Sequence, residues 1–170
     1  MITSSVFSIT NELSESQKEL ADKFDVKFIN DKNGVDWYEY QKKFQSDTWK
    51  VCVDTNGRVC SFSKDISSVF PMDLMVVEID NIPDGLNIIE PWYMDLKDKS
   101  FYRDETLVAE LKRQSLINDV TSEMLPLIQA SEDGDITNEE EDELMSLRKY
   151  RTELRRLDIS NAPDIQWPKK

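Results

Sequence analysis

At Asp104 the hydrophobic pattern of this chain changes period, and that change limits the fold more than any single motif does. Upstream, short apolar runs are separated by clusters of turn residues. Downstream, apolar residues recur at three- and four-residue steps. Strands gathered in the first part and helices in the second define an α+β chain, not one in which strands and helices alternate.

Two copies of one turn tetrad punctuate the first part, Asp31-Lys32-Asn33-Gly34 and Asp54-Thr55-Asn56-Gly57. Aspartate suits the first position of a type I turn, and glycine tolerates the positive φ required at the turn's end. The first tetrad predicts a hairpin between residues 26–30 and 35–40, the second between 49–53 and 58–62. A type I turn closed by a glycine bulge makes each pairing symmetric about its middle. Val26 then opposes Tyr40, Phe28 opposes Tyr38, Val53 opposes Val59 and Cys52 opposes Cys60. A two-residue Asn-Gly turn would shift the register by one and send the two thiols to opposite faces. The bracketing Asp and Gly favour the bulge. A further strand is expected in 72–79, where Leu74-Met75-Val76-Val77 is apolar on both faces and suits a central position. After the turn at Pro83-Asp84-Gly85, Trp92-Tyr93-Met94 and Ser100-Phe101-Tyr102 flank Lys97-Asp98-Lys99 as an edge hairpin entered at Pro91. One short helix precedes the strands, starting at Ser14 or Ser16: Ser16-x-x-Glu19 has capping-box spacing, and Leu13, Leu20 and Phe24 share a side.

From residue 104 to about 130, Leu107, Val108, Leu111, Ile117, Val120, Met124, Leu127 and Ile128 keep helical spacing, with Pro126 expected to kink or break the last turns. The chain reverses around Gly134. Thr137-x-x-Glu140 is a second capping box, and the helix it opens sets Leu144, Leu147, Tyr150, Leu154 and Leu157 along a narrow seam. Its acidic start, Glu139 to Glu143, and its end in Arg148, Lys149, Arg151, Arg155 and Arg156 match the helix dipole. The expected organisation is a β-rich N-terminal domain over 1–103 (a hairpin meander with a short helix), an antiparallel helix pair over 104–158, and an extended, proline-bounded tail over 159–170. A chain end normally frays, so the prolines and Trp167 of that tail suggest that something holds it down.

Composition removes several functions. A net charge of -13 disfavours contact with nucleic acid. No apolar stretch approaches the roughly 20 residues that span a bilayer, and the N-terminus lacks the basic-then-apolar order of a secretion signal, so the expected compartment is the cytoplasm. The chain has no histidine, which excludes histidine-dependent triads and the commonest metal ligand. Cys52 and Cys60 are too few for a zinc site built on thiolates and are expected to stay reduced. Asp133-Gly134-Asp135 fails the register of a calcium loop, no glycine-rich loop is present to cradle phosphates, and nothing singles out a catalytic carboxylate pair. The expectation is a protein with no enzymatic step and no cofactor. With 39% hydrophobic against 32% charged residues, it is lean enough in core to need a partner.

Two stretches carry a resemblance. Tyr150-Arg151, Arg156-Leu157-Asp158, Ser160, Ala162-Pro163-Asp164-Ile165 and Trp167-Pro168 closely resemble the C-terminal signature of the tail fibre assembly proteins of tailed bacteriophages and prophages. Asp36-Trp37-Tyr38-Glu39, Gln41, Ser63-Lys64-Asp65 and Phe70-Pro71 are similar to that family nearer the front. One departure is Leu147, where relatives usually carry Trp. The resemblance implies a chaperone that binds the distal, C-terminal end of a trimeric tail fibre in the bacterial host cytoplasm and promotes its folding and trimerisation without ATP. In some relatives the helper stays on the finished fibre. The alternative it implies is a stable fibre-tip component that takes part in binding host lipopolysaccharide. Residues expected to meet the fibre are Tyr150, Arg151, Arg155, Pro163, Ile165 and Trp167, on the helical seam's outer face and the tail. Trp92 joins them because, beside Pro91 at a segment border, a packed tryptophan can contact a partner. Homo-oligomerisation stays open.

Overall fold

The computed structural model describes residues 1–170. In a first unit, Met1–Arg103, the elements run β1 (Ser8–Ile9), α1 (Glu15–Phe24), β2 (Ile29–Asn30), α2 (Trp37–Tyr40), β3 (Trp49–Val53), β4 (Val59–Ser63), β5 (Met75–Ile79), β6 (Trp92–Met94) and β7 (Phe101–Arg103). A second unit, Asp104–Lys170, holds α3 (Glu105–Asp133) and α4 (Asn138–Arg156). All strand pairs are antiparallel, and the fold is α+β.

Both Asp-x-Asn-Gly tetrads close in the same way. The Asp31 carboxylate accepts the N–H groups of Asn33 at 2.8 Å and Val35 at 2.9 Å; that of Asp54 accepts Asn56 at 2.8 Å and Arg58 at 2.9 Å. Each glycine donates back to the aspartate carbonyl, with φ of 78° at Gly34 and 83° at Gly57. The two turns open onto different elements. The second tetrad joins β3 to β4. The first leads to Asp36, whose carboxylate accepts the Tyr38 N–H at 2.9 Å and caps α2, so the hairpin expected over 26–40 does not form. β2 pairs with β1 instead, and beyond the turn's own bonds, which include Asp31 N–H to the Val35 carbonyl at 2.9 Å, the only strand pairing across it is one bridge, Asn30 to Asp36. Val26 does not oppose Tyr40. Phe28 and Tyr38 do touch, ring centroids 5.8 Å apart, as edge-to-face aromatics and not as a strand pair.

In the three-stranded sheet the order is β4-β3-β5. Val53 opposes Val59 as expected, but a bulge then sets Cys52 opposite Ser61, so the two thiols do not face each other. The central strand is β3, not the apolar segment of 72–79. β5 is nevertheless buried on both faces, Val76 in one core and Val77 in another, and its outer edge is taken by the start of the chain: Ser4 N–H reaches the Val76 carbonyl at 2.9 Å, and Glu78 N–H the Ile2 carbonyl at 2.8 Å. Strand alternation feeds two cores. One gathers Phe7, Ile29, Trp37, Cys52, Val69 and Val76; the other Val51, Val53, Val59, Val77, Leu86 and Met94. Trp37, fully buried, donates its indole N–H to the Val69 carbonyl at 2.9 Å and meets Phe7 edge to face at 5.0 Å.

Lys50 and Glu78 sit opposite each other on β3 and β5 and are both buried, yet each is satisfied by other groups. Lys50 Nζ donates to the carbonyls of Thr48 and Lys64, both at 3.0 Å, and to that of Gln45. Glu78 accepts from Gln45 N–H at 2.7 Å, Thr48 Oγ1 at 2.9 Å and Ile2 N–H at 3.1 Å. Burial pushes the Glu78 carboxyl up, but these hydrogen bonds outweigh it and hold the group below its ordinary 4.5. β6 and β7 form the expected hairpin, tied to the second turn by a bond of 2.8 Å from Met94 N–H to the Gly57 carbonyl. α1 starts at Ser14, with Gln17 and not Glu19 completing its capping box, and it buries no residue.

In the second unit α3 runs through Pro126 to Asp133 without the expected break. Met124, Leu127 and Ile128 pack into the helix pair on either side of the missing N–H and carry the helix across it. Gly134, at φ 75°, ends α3, and the Thr137–Glu140 capping box opens α4. Leu144, Leu147 and Leu154 of α4 bury against Val120 and Met124 of α3. Arg113 Nη1 donates to the Leu157 carbonyl at 2.9 Å, placing the start of α3 beside the end of α4 in an antiparallel pair.

Candidate partner-binding surface

Once α4 ends, its last carbonyls need partners and its cations crowd the C-terminal turn. The chain responds with tight turns. Asp158 accepts the Ser160 N–H at 2.9 Å, which holds its carboxyl below the ordinary range. Ala162 N–H then reaches the Ile159 carbonyl at 3.1 Å, and Asp164 N–H the Asn161 carbonyl at 2.9 Å. These turns send the tail back onto the helix pair. Trp167 packs against the helical core, the Lys112 ammonium lies over its ring at 4.5 Å from the centroid, and Lys170 pairs with Glu123. The tail is thus bound along α3.

That geometry sorts the residues expected at the partner surface. Tyr150 and Trp167 each pack against the helical core, both half-buried. Arg151 is half-buried on α4, while Arg155 is exposed near its end. Pro163 is exposed on the tail, with Ile165 half-buried beyond it. All six therefore belong to α4 or the tail of one unit. Trp92 lies in the other unit, half-buried on β6 against the core that holds Val51 and Met94.

Sequence reasoning passed over a second exposed region. Between Gly85 and Pro91, Ile88 and Ile89 stand 55% and 86% exposed. Beside them a groove of about 310 Å³ is lined by Ser61, Phe62, Leu86, Asn87 and Ile88. Two adjacent isoleucines inside a turn-rich stretch were the available signal, since such a stretch has no core to bury them in. The Tyr102 ring, also exposed, stacks on Tyr93 at 5.5 Å beside a cleft of about 260 Å³ bounded by Asn56, Asp95 and Lys97. Cys52 is unsuited to nucleophilic work: burial pushes its thiol up to about 11. No helix is long and apolar enough to cross a membrane.

A segregated α+β scaffold with an anchored aromatic tail and exposed apolar loops has the form of a protein that docks onto another chain. The chain belongs to the tail fibre assembly protein family of tailed phages: the family model described as Caudovirales tail fibre assembly protein, lambda gpK, matches residues 39–170. It is 30% identical to tail fiber assembly protein U of Escherichia phage Mu, over 94% of this chain and 93% of that protein. It is 28% identical to a probable tail fiber assembly protein of Escherichia phage P2, over 93% and 92%. With the tail fiber assembly protein of Escherichia phage lambda it shares 29% over 74% of this chain and 68% of the other.

Proposed function

We propose that this protein is a tail fibre assembly chaperone, acting in the bacterial host during virion assembly, that binds the distal, C-terminal end of a trimeric tail fibre. The family match over residues 39–170 carries this reading. A trimer whose chains intertwine must bring three ends into register before long-range contacts stabilise it, and chains waiting for that step expose apolar surface and open strand edges. Binding holds them soluble and, by mass action, favours the form that assembles. No nucleotide is needed, since binding energy alone drives the shift.

The contact surface is assigned to the end of α4 and the tail, through Tyr150, Arg151, Arg155, Pro163, Ile165 and Trp167, with Trp92 as an outlying contact. Anchoring of Trp167 along α3 supports this, because it fixes Pro163 and Ile165 in a defined loop instead of leaving them on a frayed end. Producing the fibre's C-terminal region together with this chain tests both parts. The intact chain yields soluble trimeric fibre, the Arg151→Glu, Arg155→Glu variant yields several-fold less, and equal yields would move the contact elsewhere. Trimeric fibre forming equally well without this protein would end the chaperone reading.

A second reading, contact with host lipopolysaccharide by a copy retained at the fibre tip, draws on the Tyr102 ring beside Asn56, Asp95 and Lys97. An aromatic face next to convergent polar groups suits a sugar ring. Its test is the presence of this protein on purified virions.

A further inference from the structure

β4 has no strand on its outer side. The far edge of β5 is taken by the start of the chain. β4 is bridged only at its entrance, where Arg58 meets Tyr93. Antiparallel alternation fixes which of its backbone groups remain free. Val76 and Glu78 turn outward to Ser4 and Ile2, so Val77 bonds inward to β3, and its partner Val51 turns towards β5. Phe62 opposes Val51, and its own N–H and C=O therefore point away from β3. Neither has a backbone partner on that side. The apolar groove of about 310 Å³ between Phe62 and the Leu86–Asn87–Ile88 loop runs beside them.

We infer that this slot receives an extended segment of the fibre chain, which adds to β4 as a further strand, exchanges two hydrogen bonds with Phe62, and sets an apolar side chain beside the Phe62 ring against Leu86 and Ile88. The inference rests on the fibre-assembly reading and gives it a binding mode. A free N–H and C=O side by side ask for extended backbone, which a fibre chain offers only before its own strands have paired. A second copy of this protein fits poorly. The open edge spans residues 60–63, bounded by the Arg58 bridge and the 3₁₀ turn Ile66–Ser68, and two such edges would bury far less than the roughly 1,000 Å² of a specific interface. For the fibre this short edge is one contact added to that assigned to the end of α4 and the tail, not the whole interface.

Amide hydrogen exchange on the full-length protein, free and in complex with the C-terminal region of its fibre, tests the assignment. In the complex the Phe62 amide exchanges at least about tenfold more slowly. Ile88→Asp, at a side chain already largely in solvent, lowers the yield of soluble fibre several-fold while leaving the circular dichroism of the free protein unchanged. A complex that forms with unchanged Phe62 exchange overturns the strand-addition mode and leaves the chaperone reading standing. Slower Phe62 exchange on concentrating the free protein assigns the edge to a second copy and overturns it too. If no complex forms at all, both readings fall.

Discussion

The two Asp-x-Asn-Gly turns share their sequence chemistry and their hydrogen bonds, yet one opens a hairpin and the other opens a helix. At Asp54 the residues after glycine alternate, and Val59 drops into the core beside Val51 and Val53. At Asp31 the next positions hold a helix cap, Asp36, and then Trp37, which fills the opposite core against Phe7 and Tyr40. Turn geometry is thus a property of four residues, whereas the element beyond the turn depends on which side chain must be buried next. One helical turn over residues 37–40 aims both Trp37 and Tyr40 inward; a strand would send residues three apart to opposite faces.

The largest test of that contrast is Trp37→Ala, which removes a fully buried ring and its bond to Val69 and is expected to cost about 4 kcal/mol in denaturant unfolding. An unchanged midpoint would mean that α2 does not depend on its tryptophan. Next comes Gly57→Ala. A Cβ there lies 2.4 Å from the Met94 carbonyl oxygen, on a backbone already at φ +83°, so left-handed strain and overpacking add to about 3 kcal/mol. Gly34→Ala, at φ +78° with nothing within 4 Å, meets the strain alone and should cost only about 1 kcal/mol in the same assay. Equal costs at the two glycines would erase the difference between a turn packed against β6 and one facing open space.

The smallest effect is acidic. Burial raises the Asp31 carboxyl, but hydrogen bonds from the Val35 and Asn33 N–H groups outweigh it and hold the group below its ordinary 3.8. A depressed folded value means that the carboxylate's contribution is complete above 3.8 and disappears as pH falls through the folded value. The gap in thermal midpoint between wild type and Asp31→Ala should therefore narrow as pH is lowered through that range. A gap independent of pH would assign the turn's stability to its glycine.

Much of the architecture was legible because it is local. The period change at Asp104, the seam Leu144, Leu147 and Leu154, and the Thr137–Glu140 cap depend on neighbours a few residues away. The misreadings are contacts between distant residues. The β5 edge is closed by Ser4 and Ile2, more than 70 positions away in the chain, and no periodicity announces such a pairing. The bulge after Cys52 moves the register by one residue without changing the hydrophobic alternation on β3. At the chain's C-terminus, the sequence indicated that the tail would be held, through its prolines and tryptophan. It could not specify that α3 holds it, since the Lys112–Trp167 contact exists only after the chain folds back. The groove at Phe62 was missed for the same reason: its two walls are brought together by the sheet.

The register shift on β4 also has a practical side. Because it parts the two thiols, Cys52 lying in the core with Phe7 and Val76 while Cys60 remains half-exposed on β4, a thiol-directed fluorophore should attach at one position only. That position stands two residues from the unoccupied backbone pair at Phe62, so the native sequence already provides an optical sensor of whatever chain comes to rest there.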